Sequence, residues 1–329
     1  MNSLTHRDKK LNNKKTIILT VAFACFLHIT HAYAFLGKQD FVPSETTAFT
    51  NRGVVHGIKA TEVQCNQTTG AVWAKYDNLE GECIRYWEQD LNNGINKRVI
   101  FFFHGDILSG NSVNDKAYEK KSPATMLSTW NNFFPDNSKP TIYMSRPGTY
   151  GSSGDHSQRR RAAEAKIISA AIDALKKKYQ IQELIITGQS GGGHVTASLI
   201  TLRSDIICAV PASSPSSPKI RWQLKGRSND TTGYSDSYEP IENLKNKKFN
   251  PKLRVFVVAE ENDTNVPFAS QTVLVDRLKS ENINAHLIRA EGTGPQKHRL
   301  YASGFKVASF CFDDLSDAEI QSRSVGLRG

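Results

Sequence analysis

Three residue types in one order carry the chemistry of this 329-residue chain: a serine in a glycine frame, then an acid, then a histidine. The serine is Ser190, in Gly188-Gln189-Ser190-Gly191-Gly192-Gly193. The pattern G-x-S-x-G lets the backbone turn sharply from strand to helix, so that the hydroxyl stands alone at the apex. Such a string arises by chance in roughly one chain in ten of this length, so its surroundings must carry the argument. A serine hydroxyl attacks a carbonyl only when an imidazole removes its proton. The imidazole works best when an acid fixes its tautomer and stabilises its cation.

In the order this turn imposes, the acid and then the histidine follow the serine, each in a loop after a strand. Of nine histidines only His286 and His298 come late enough. His286 falls inside the apolar run Ala285 to Ile288, whereas His298 follows Glu291-Gly292-Thr293-Gly294-Pro295 in a loop, and it is the expected base. The run Leu253 to Val258 ends in Ala259-Glu260-Glu261-Asn262-Asp263, and Asp263 leads as the acid, four residues before a proline suited to opening the next helix. Glu260 and Glu261 are the runners-up. A tetrahedral oxyanion needs two donors. The N–H of Gly191 is one, and the loop His104-Gly105-Asp106, directly after Phe101-Phe102-Phe103, offers the Asp106 N–H as the other. His104 reads as a shaper of that turn rather than as the base.

The elements that must position these residues alternate. Arg98 to Phe103, Thr141 to Met144, Glu183 to Thr187, Ile206 to Val210, Leu253 to Val258 and Ala285 to Ile288 are continuous apolar runs of the kind a strand buried on both faces requires. Between them lie helical stretches near Ala124 to Phe134, Ala162 to Tyr179 and Pro267, with another starting near His298. The alternation predicts a largely parallel sheet flanked by helices on both faces. Residues near 61 to 76 and 82 to 88 read as opening antiparallel strands. Ser213 to Pro251 is polar, with Trp222, Tyr234 and Tyr238, and reads as an excursion over the site, a candidate lid.

With these parts in place the chain resembles an α/β-hydrolase, similar to the esterase and prolyl-oligopeptidase-like branches of that superfamily, over residues 97 to 312. His104-Gly105 matches its HG turn, Ser145-Arg146-Pro147-Gly148-Thr149-Tyr150-Gly151-Ser152-Ser153 looks like its R-x-G-x-S loop, and Asp263 to Pro267 resembles its D-x-x-V-P. His298 follows Lys297 where the family has glycine. The resemblance implies the α/β-hydrolase fold with nucleophile, acid and base at Ser190, Asp263 and His298. It implies an acyl-enzyme route with no cofactor and no metal. Ester cleavage is the expected activity, because only about 60 residues separate the leader described next from the hydrolase core. A small serine peptidase or amidase acting on short peptides is the alternative, with Glu260 or Glu261 binding a substrate amine. A non-catalytic binding module on the same fold is a third reading.

Residues 1 to 34 read as an export signal: Arg7, Lys9, Lys10, Lys14 and Lys15, then an apolar stretch from Thr16 to Thr30, then Ala32-Tyr33-Ala34 as a cleavage site. The apolar stretch is shorter than the roughly 20 residues that span a bilayer, so stable membrane insertion is not expected. Export to the periplasm or beyond is expected after cleavage near Ala34, leaving residues 35 to 329 as one domain. The leader holds five Lys/Arg and one Asp, so the formal charge of +10 falls to +6 without it. The clusters Arg159-Arg160-Arg161 and Lys176-Lys177-Lys178 read as solvated helix faces, with no nucleic-acid motif beside them. The expected partner is a small ester or short peptide substrate, and the sequence says nothing of oligomeric state. Four cysteines remain in an oxidising compartment. Cys65 and Cys83 flank a hairpin expected around Thr69-Gly70 and are the better candidate pair; pairing of Cys208 with Cys311 is left open.

Overall fold

The computed structural model describes residues 37–135 and 137–329, so the expected export signal lies outside the described residues. Eight strands form one sheet: β1 (Ala71–Ala74), β2 (Glu82–Gln89), β3 (Asn96–Phe103), β4 (Thr141–Met144), β5 (Ile181–Gln189), β6 (Ile206–Ala212), β7 (Arg254–Ala259) and β8 (Asn284–Arg289). Their spatial order is β8-β7-β6-β5-β3-β4-β2-β1. From β3 to β8 every pairing is parallel, and β2 runs antiparallel to both of its neighbours.

The apolar runs are continuous because both faces of the sheet are covered. On β3, Val99, Phe101 and Phe103 join one core layer with Ile168, Ile172, Val195 and Leu274. These come from helices α2 (Ala162–Lys178), α3 (Gly191–Leu202) and α5 (Phe268–Ser280). The alternate residues Ile100 and Phe102 face the opposite layer, with Met126 and Trp130 from α1 (Pro123–Phe133) and Phe305 from α6 (Tyr301–Phe312). The same alternation runs along β5, where Leu184 and Ile186 face the first layer and Ile185 the second. No helix among the described residues is long and apolar enough to cross a membrane.

Two parts of the opening segment depart from the sequence expectation. Residues 62–66 form a helix, not the start of a strand: Thr61 Oγ1 accepts from Gln64 N while Gln64 Oε1 accepts from Thr61 N, a reciprocal cap that a strand reading overlooks. The hairpin connection is accordingly residues 75–81 between β1 and β2, not Thr69-Gly70. Cys65, on that short helix, still meets Cys83 of β2 in a disulfide, and Cys208 of β6 is joined to Cys311 of α6.

The 213–251 excursion carries α4 (Pro218–Leu224) and is fastened to the body. Ser270 Oγ donates to Ser217 O at 2.8 Å, His194 Nε2 donates to Tyr238 O at 2.8 Å, and the hydroxyls of Tyr238 and Thr201 are bonded at 2.6 Å. Glu239 closes the excursion on itself, accepting from Ser217 Oγ and from Lys219 N, each at 2.7 Å. Burial raises the Glu239 pKa from 4.5 to about 7, against the opposing pull of those two donors. The folded chain therefore holds a proton that the unfolded chain releases above 4.5, and the stability this contributes is lost as pH rises toward 7. The Glu239→Gln variant should unfold about 3 °C above the parent at pH 8, with the gap closing below the ordinary carboxylate range. Thermal melts across that pH range test it; a gap independent of pH would show that Glu239 is not the titrating group.

Candidate active site

The serine turn is built where β5 ends and α3 begins. Ser190 has φ 56° and ψ −116°, a conformation that side-chain-bearing residues rarely adopt and that persists only when its surroundings hold it. Backbone bonds do so: Ser190 N donates to Ala212 O on β6 at 2.9 Å, and His194 N donates to Ser190 O at 3.0 Å. The two flanking glycines are required by space. A Cβ on Gly188 would collide with Gly192 O, and one on Gly192 with Phe103 O and His104 O.

The loops after β7 and β8 bring an acid and an imidazole to that serine. His298 Nδ1 donates to Asp263 Oδ2 at 2.7 Å, which leaves Nε2 to accept from Ser190 Oγ at 2.8 Å. The Asp263 carboxylate is wholly buried and its other oxygen accepts from Asn265 N and Val266 N, at 2.8 and 2.9 Å. Gln271 Nε2 adds a donor to Oδ2 at 3.2 Å. His286, the alternative base, lies on β8 and bonds Asp317.

Several further residues set this geometry. The Gln189 amide grips both sides of the histidine: its Nε2 donates to His298 O at 2.7 Å and its Oε1 accepts from Leu300 N at 2.9 Å. Glu260 bonds Asn262 N and Gly292 N, at 2.8 and 2.6 Å, and so joins the acid loop to the base loop. Glu261 pairs with Arg289 at 2.6 Å. His298 Nδ1 bonds neither runner-up, and neither lines the cleft over Ser190, so neither is placed to be the acid or to receive a substrate amine there. Lys297 takes φ 53°, the left-handed conformation that glycine accepts most readily, which accounts for the glycine of similar proteins at this place.

His104-Gly105-Asp106 reaches the serine from β3. A Cβ on Gly105 would lie 3.5 Å from Ser190 Cβ. Among the described residues, the N–H groups of Asp106 and Gly191 carry no hydrogen bond, the state that donors reserved for an oxyanion would have. His104 is buried, and burial followed by the charge of Arg146 lowers its pKa to about 3. It is a neutral structural imidazole, with Nδ1 donating to Gly105 O at 2.7 Å and Nε2 facing Thr149 Oγ1 at 3.1 Å.

Beneath the turn, the side chain of Asp106 is the centre of a buried ionic network. Arg146 reaches Oδ1 at 3.0 Å, Arg159 reaches Oδ2 at 3.3 Å, and Arg160 also binds Oδ2. Arg146 continues to Glu164 at 2.7 Å and Arg160 to Asp230 at 2.7 Å. Burial opposes ionisation of the Asp106 carboxyl, but Arg160, Arg159 and Arg146 together outweigh it and hold its pKa well below the ordinary value. This corrects the reading of Arg159-Arg160-Arg161 as a solvated face. Arg159 is 3 % and Arg160 0 % exposed, because a buried carboxylate draws them inward; Lys177 and Lys178 do lie on an exposed face. An acid at the third position of His-Gly-Asp was the available signal.

A cleft of about 960 Å³ opens over Ser190 and His298. Trp130, Phe133, Phe134, Tyr150 and Tyr301 form its aromatic wall, and Arg221, Lys225, Arg227 and Arg299 lie on its walls too. Trp222, Tyr234 and Tyr238 of the excursion are not among its lining residues.

An open, mostly parallel sheet with Ser, Asp and His side chains converging at the carboxyl ends of β5, β7 and β8 defines the class of the serine hydrolases with the α/β-hydrolase fold. The chain has the α/β-hydrolase fold. Residues 157–309, a span that contains Ser190, Asp263 and His298, match the model of the prolyl oligopeptidase family. A search of curated protein sequences returned no match. Among solved structures, the Pyrococcus horikoshii acylaminoacyl peptidase is 13% identical over 76% of this chain and 43% of its own, with TM-score 0.51. Oligopeptidase B from Leishmania major is 12% identical over 78% and 37%, with TM-score 0.52. Est1E from Butyrivibrio proteoclasticus, solved with ferulic acid bound, is 16% identical over 74% of this chain and 98% of its own, with TM-score 0.51. The chain thus spans about two fifths of the length of the acylaminoacyl peptidases it matches.

Replacing Asp106 by Asn leaves three buried guanidiniums without their shared carboxylate. The variant should lose about 3–5 kcal/mol of stability, since breaking a buried ion pair from one side strands the other charge. Denaturant unfolding measures it, and a loss smaller than about 1 kcal/mol, that of an exposed pair, would refute the structural weight assigned to this carboxylate.

Proposed function

We propose that this protein is an exported serine hydrolase that cleaves carboxylic esters through Ser190, His298 and Asp263. The observation that carries the reading is the unbroken hydrogen-bond line from Asp263 Oδ2 through His298 to Ser190 Oγ, with links of 2.7 and 2.8 Å. In the proposed reaction Ser190 Oγ attacks the ester carbonyl carbon as His298 Nε2 takes its proton. The resulting oxyanion accepts hydrogen bonds from the N–H groups of Gly191 and Asp106. Collapse expels the alcohol, which leaves with the proton held by His298, and an acyl-enzyme remains. Water then repeats the sequence, giving its proton to His298 and releasing the acid and the free serine. Asp263, buried and facing His298 Nδ1, stabilises the imidazolium in both halves.

Preference for esters over peptides with a free amino end rests on the charge of the cleft. The two carboxylates on its wall, Asp106 and Asp115, are already paired with arginines and with Lys121, and Glu260 and Glu261 are engaged elsewhere. A substrate ammonium finds no free carboxylate there among the described residues, whereas the aromatic wall suits an apolar or aryl group.

The test is hydrolysis of a 4-nitrophenyl acyl-chain series by the protein beside its variants. Ser190→Ala and His298→Ala should each lower kcat by about four orders of magnitude, and the double variant should be no worse than either, because the residues act as a unit. Activity in Ser190→Ala within tenfold of the parent would exclude this nucleophile, and cleavage confined to aminoacyl amides would favour the peptidase reading. Export is checked separately. Amino-terminal sequencing of protein recovered outside the cytoplasm should begin at Phe35, and an intact Met1 there would refute cleavage after Ala34.

A further inference from the structure

The cleft that serves Ser190 carries more positive than negative charge along one wall. Arg221, on α4 of the excursion, is 9 % exposed, and its guanidinium is held in a fixed orientation by one residue. Its Nε donates to Asn265 O at 3.3 Å and its Nη2 to Asn265 Oδ1 at 2.6 Å. Asn265 N in turn donates to Asp263 Oδ1 at 2.8 Å, so Arg221 is tied to the loop that carries the acid. The remaining nitrogen, Nη1, makes no hydrogen bond, and its nearest carboxylate oxygen, Asp230 Oδ1, is 3.9 Å away. The other oxygen of Asp230 is bound to Arg160.

The surroundings compensate this charge only in part: Asp230 Oδ1, which accepts no hydrogen bond, faces Nη1 from 3.9 Å. The buried network sets four guanidiniums, of Arg146, Arg159, Arg160 and Arg221, against three carboxylates, of Asp106, Glu164 and Asp230. Burial, then the charge of Arg160, lowers the Arg221 pKa to about 10, against the upward pull of Asp230, Asp106 and Asp263. Along the same wall Lys225, Arg227 and Arg299 are exposed and have no carboxylate within ion-pair distance among the described residues. Lys225 Nζ is anchored on Thr264 O at 2.7 Å, again on the acid loop.

We propose that this cleft recognises substrates bearing a carboxylate remote from the scissile carbonyl, with Arg221 Nη1 as the open donor and Lys225 and Arg227 completing the receptor. The inference rests on the serine hydrolase reading and narrows its substrate class to the anionic esters, such as the hemiesters of dicarboxylic acids. A guanidinium gives a carboxylate a directional, charge-assisted hydrogen bond, and partial burial strengthens it. The anchored position of Arg221 beside the Asp263 loop then fixes where the scissile carbonyl lies relative to Ser190.

The experiment compares the mono-4-nitrophenyl ester of glutaric acid with 4-nitrophenyl pentanoate, a neutral ester of matched length. The intact enzyme should favour the hemiester by about tenfold in kcat/KM, and the preference should shrink as salt is raised. Arg221→Gln should erase most of that ratio, and Lys225→Gln/Arg227→Gln, which alters only exposed side chains, should lower it about threefold. The ratio, not the rate, is the readout, and if Arg221→Gln does not fold the exposed pair decides alone. No preference in the parent, or a ratio unchanged in every folded variant, overturns the proposal. If neither ester is turned over, the hydrolase reading fails by itself. Calorimetric titration of the intact protein with glutarate then still decides the anion site: binding weakened by Arg221→Gln sustains it, and no binding overturns it. Inorganic phosphate binding more tightly than glutarate would overturn the carboxylate assignment in favour of a phosphoryl group.

Discussion

The carboxylate of Asp106 is the contact on which the rest of the site depends. Its backbone N–H makes no hydrogen bond among the described residues, while its side chain gathers Arg146, Arg159 and Arg160. One residue thus joins the end of β3, the loop after β4 and the start of α2. Such a network adds little net stability over an apolar filling of the same volume, since desolvation offsets most of its attraction. What it does supply is directionality. Each guanidinium has a fixed set of partners, so the loop that carries the proposed oxyanion donor has one position relative to the serine.

The second constraint is closeness. The turn at Ser190 lies against Phe103 O, the last carbonyl of β3, and against His104 O, and the space that Gly192 leaves empty is the space those two carbonyls occupy. Parallel strands bring this about, since β3 and β5 are neighbours in register and both end at the same edge. An open parallel sheet therefore needs no separate device to bring chemistry together. Loops leaving the carboxyl ends of β3, β5, β7 and β8 share one rim. Fine placement is left to side-chain clamps on backbone, the Gln189 amide on the His298 loop and Glu260 on the loop beside it.

These clamps also explain how a buried acid and a partly exposed base coexist. Asp263 receives its hydrogen bonds from backbone on one side and from Gln271 on the other, so the His298 ring finds it already oriented. The excursion adds a different kind of residue. Its aromatic side chains do not line the cleft, and Arg221 does, which makes charge the property this segment brings to the site.

The order of apolar runs, the glycine frame of Ser190, and the loop positions of Asp263 and His298 were legible because each is local. A strand buried on both faces must be apolar throughout, and a sharp strand-to-helix turn must be glycine-rich. The reciprocal Thr61–Gln64 cap was equally local, yet it was hidden beneath β-type side chains and surfaced only as the helix over 62–66. Partnerships across long separations were not legible. Nothing in the spacing of Asp106, Arg146 and Arg160 states that they meet, that Gln189 spans 109 residues to His298, or that Cys208 lies against Cys311. Sequence determines which segments are strands or helices, because backbone conformation and the period of burial act over a few residues. Tertiary structure alone decides which charges are buried together, because desolvation and pairing depend on distances that only the assembled sheet creates.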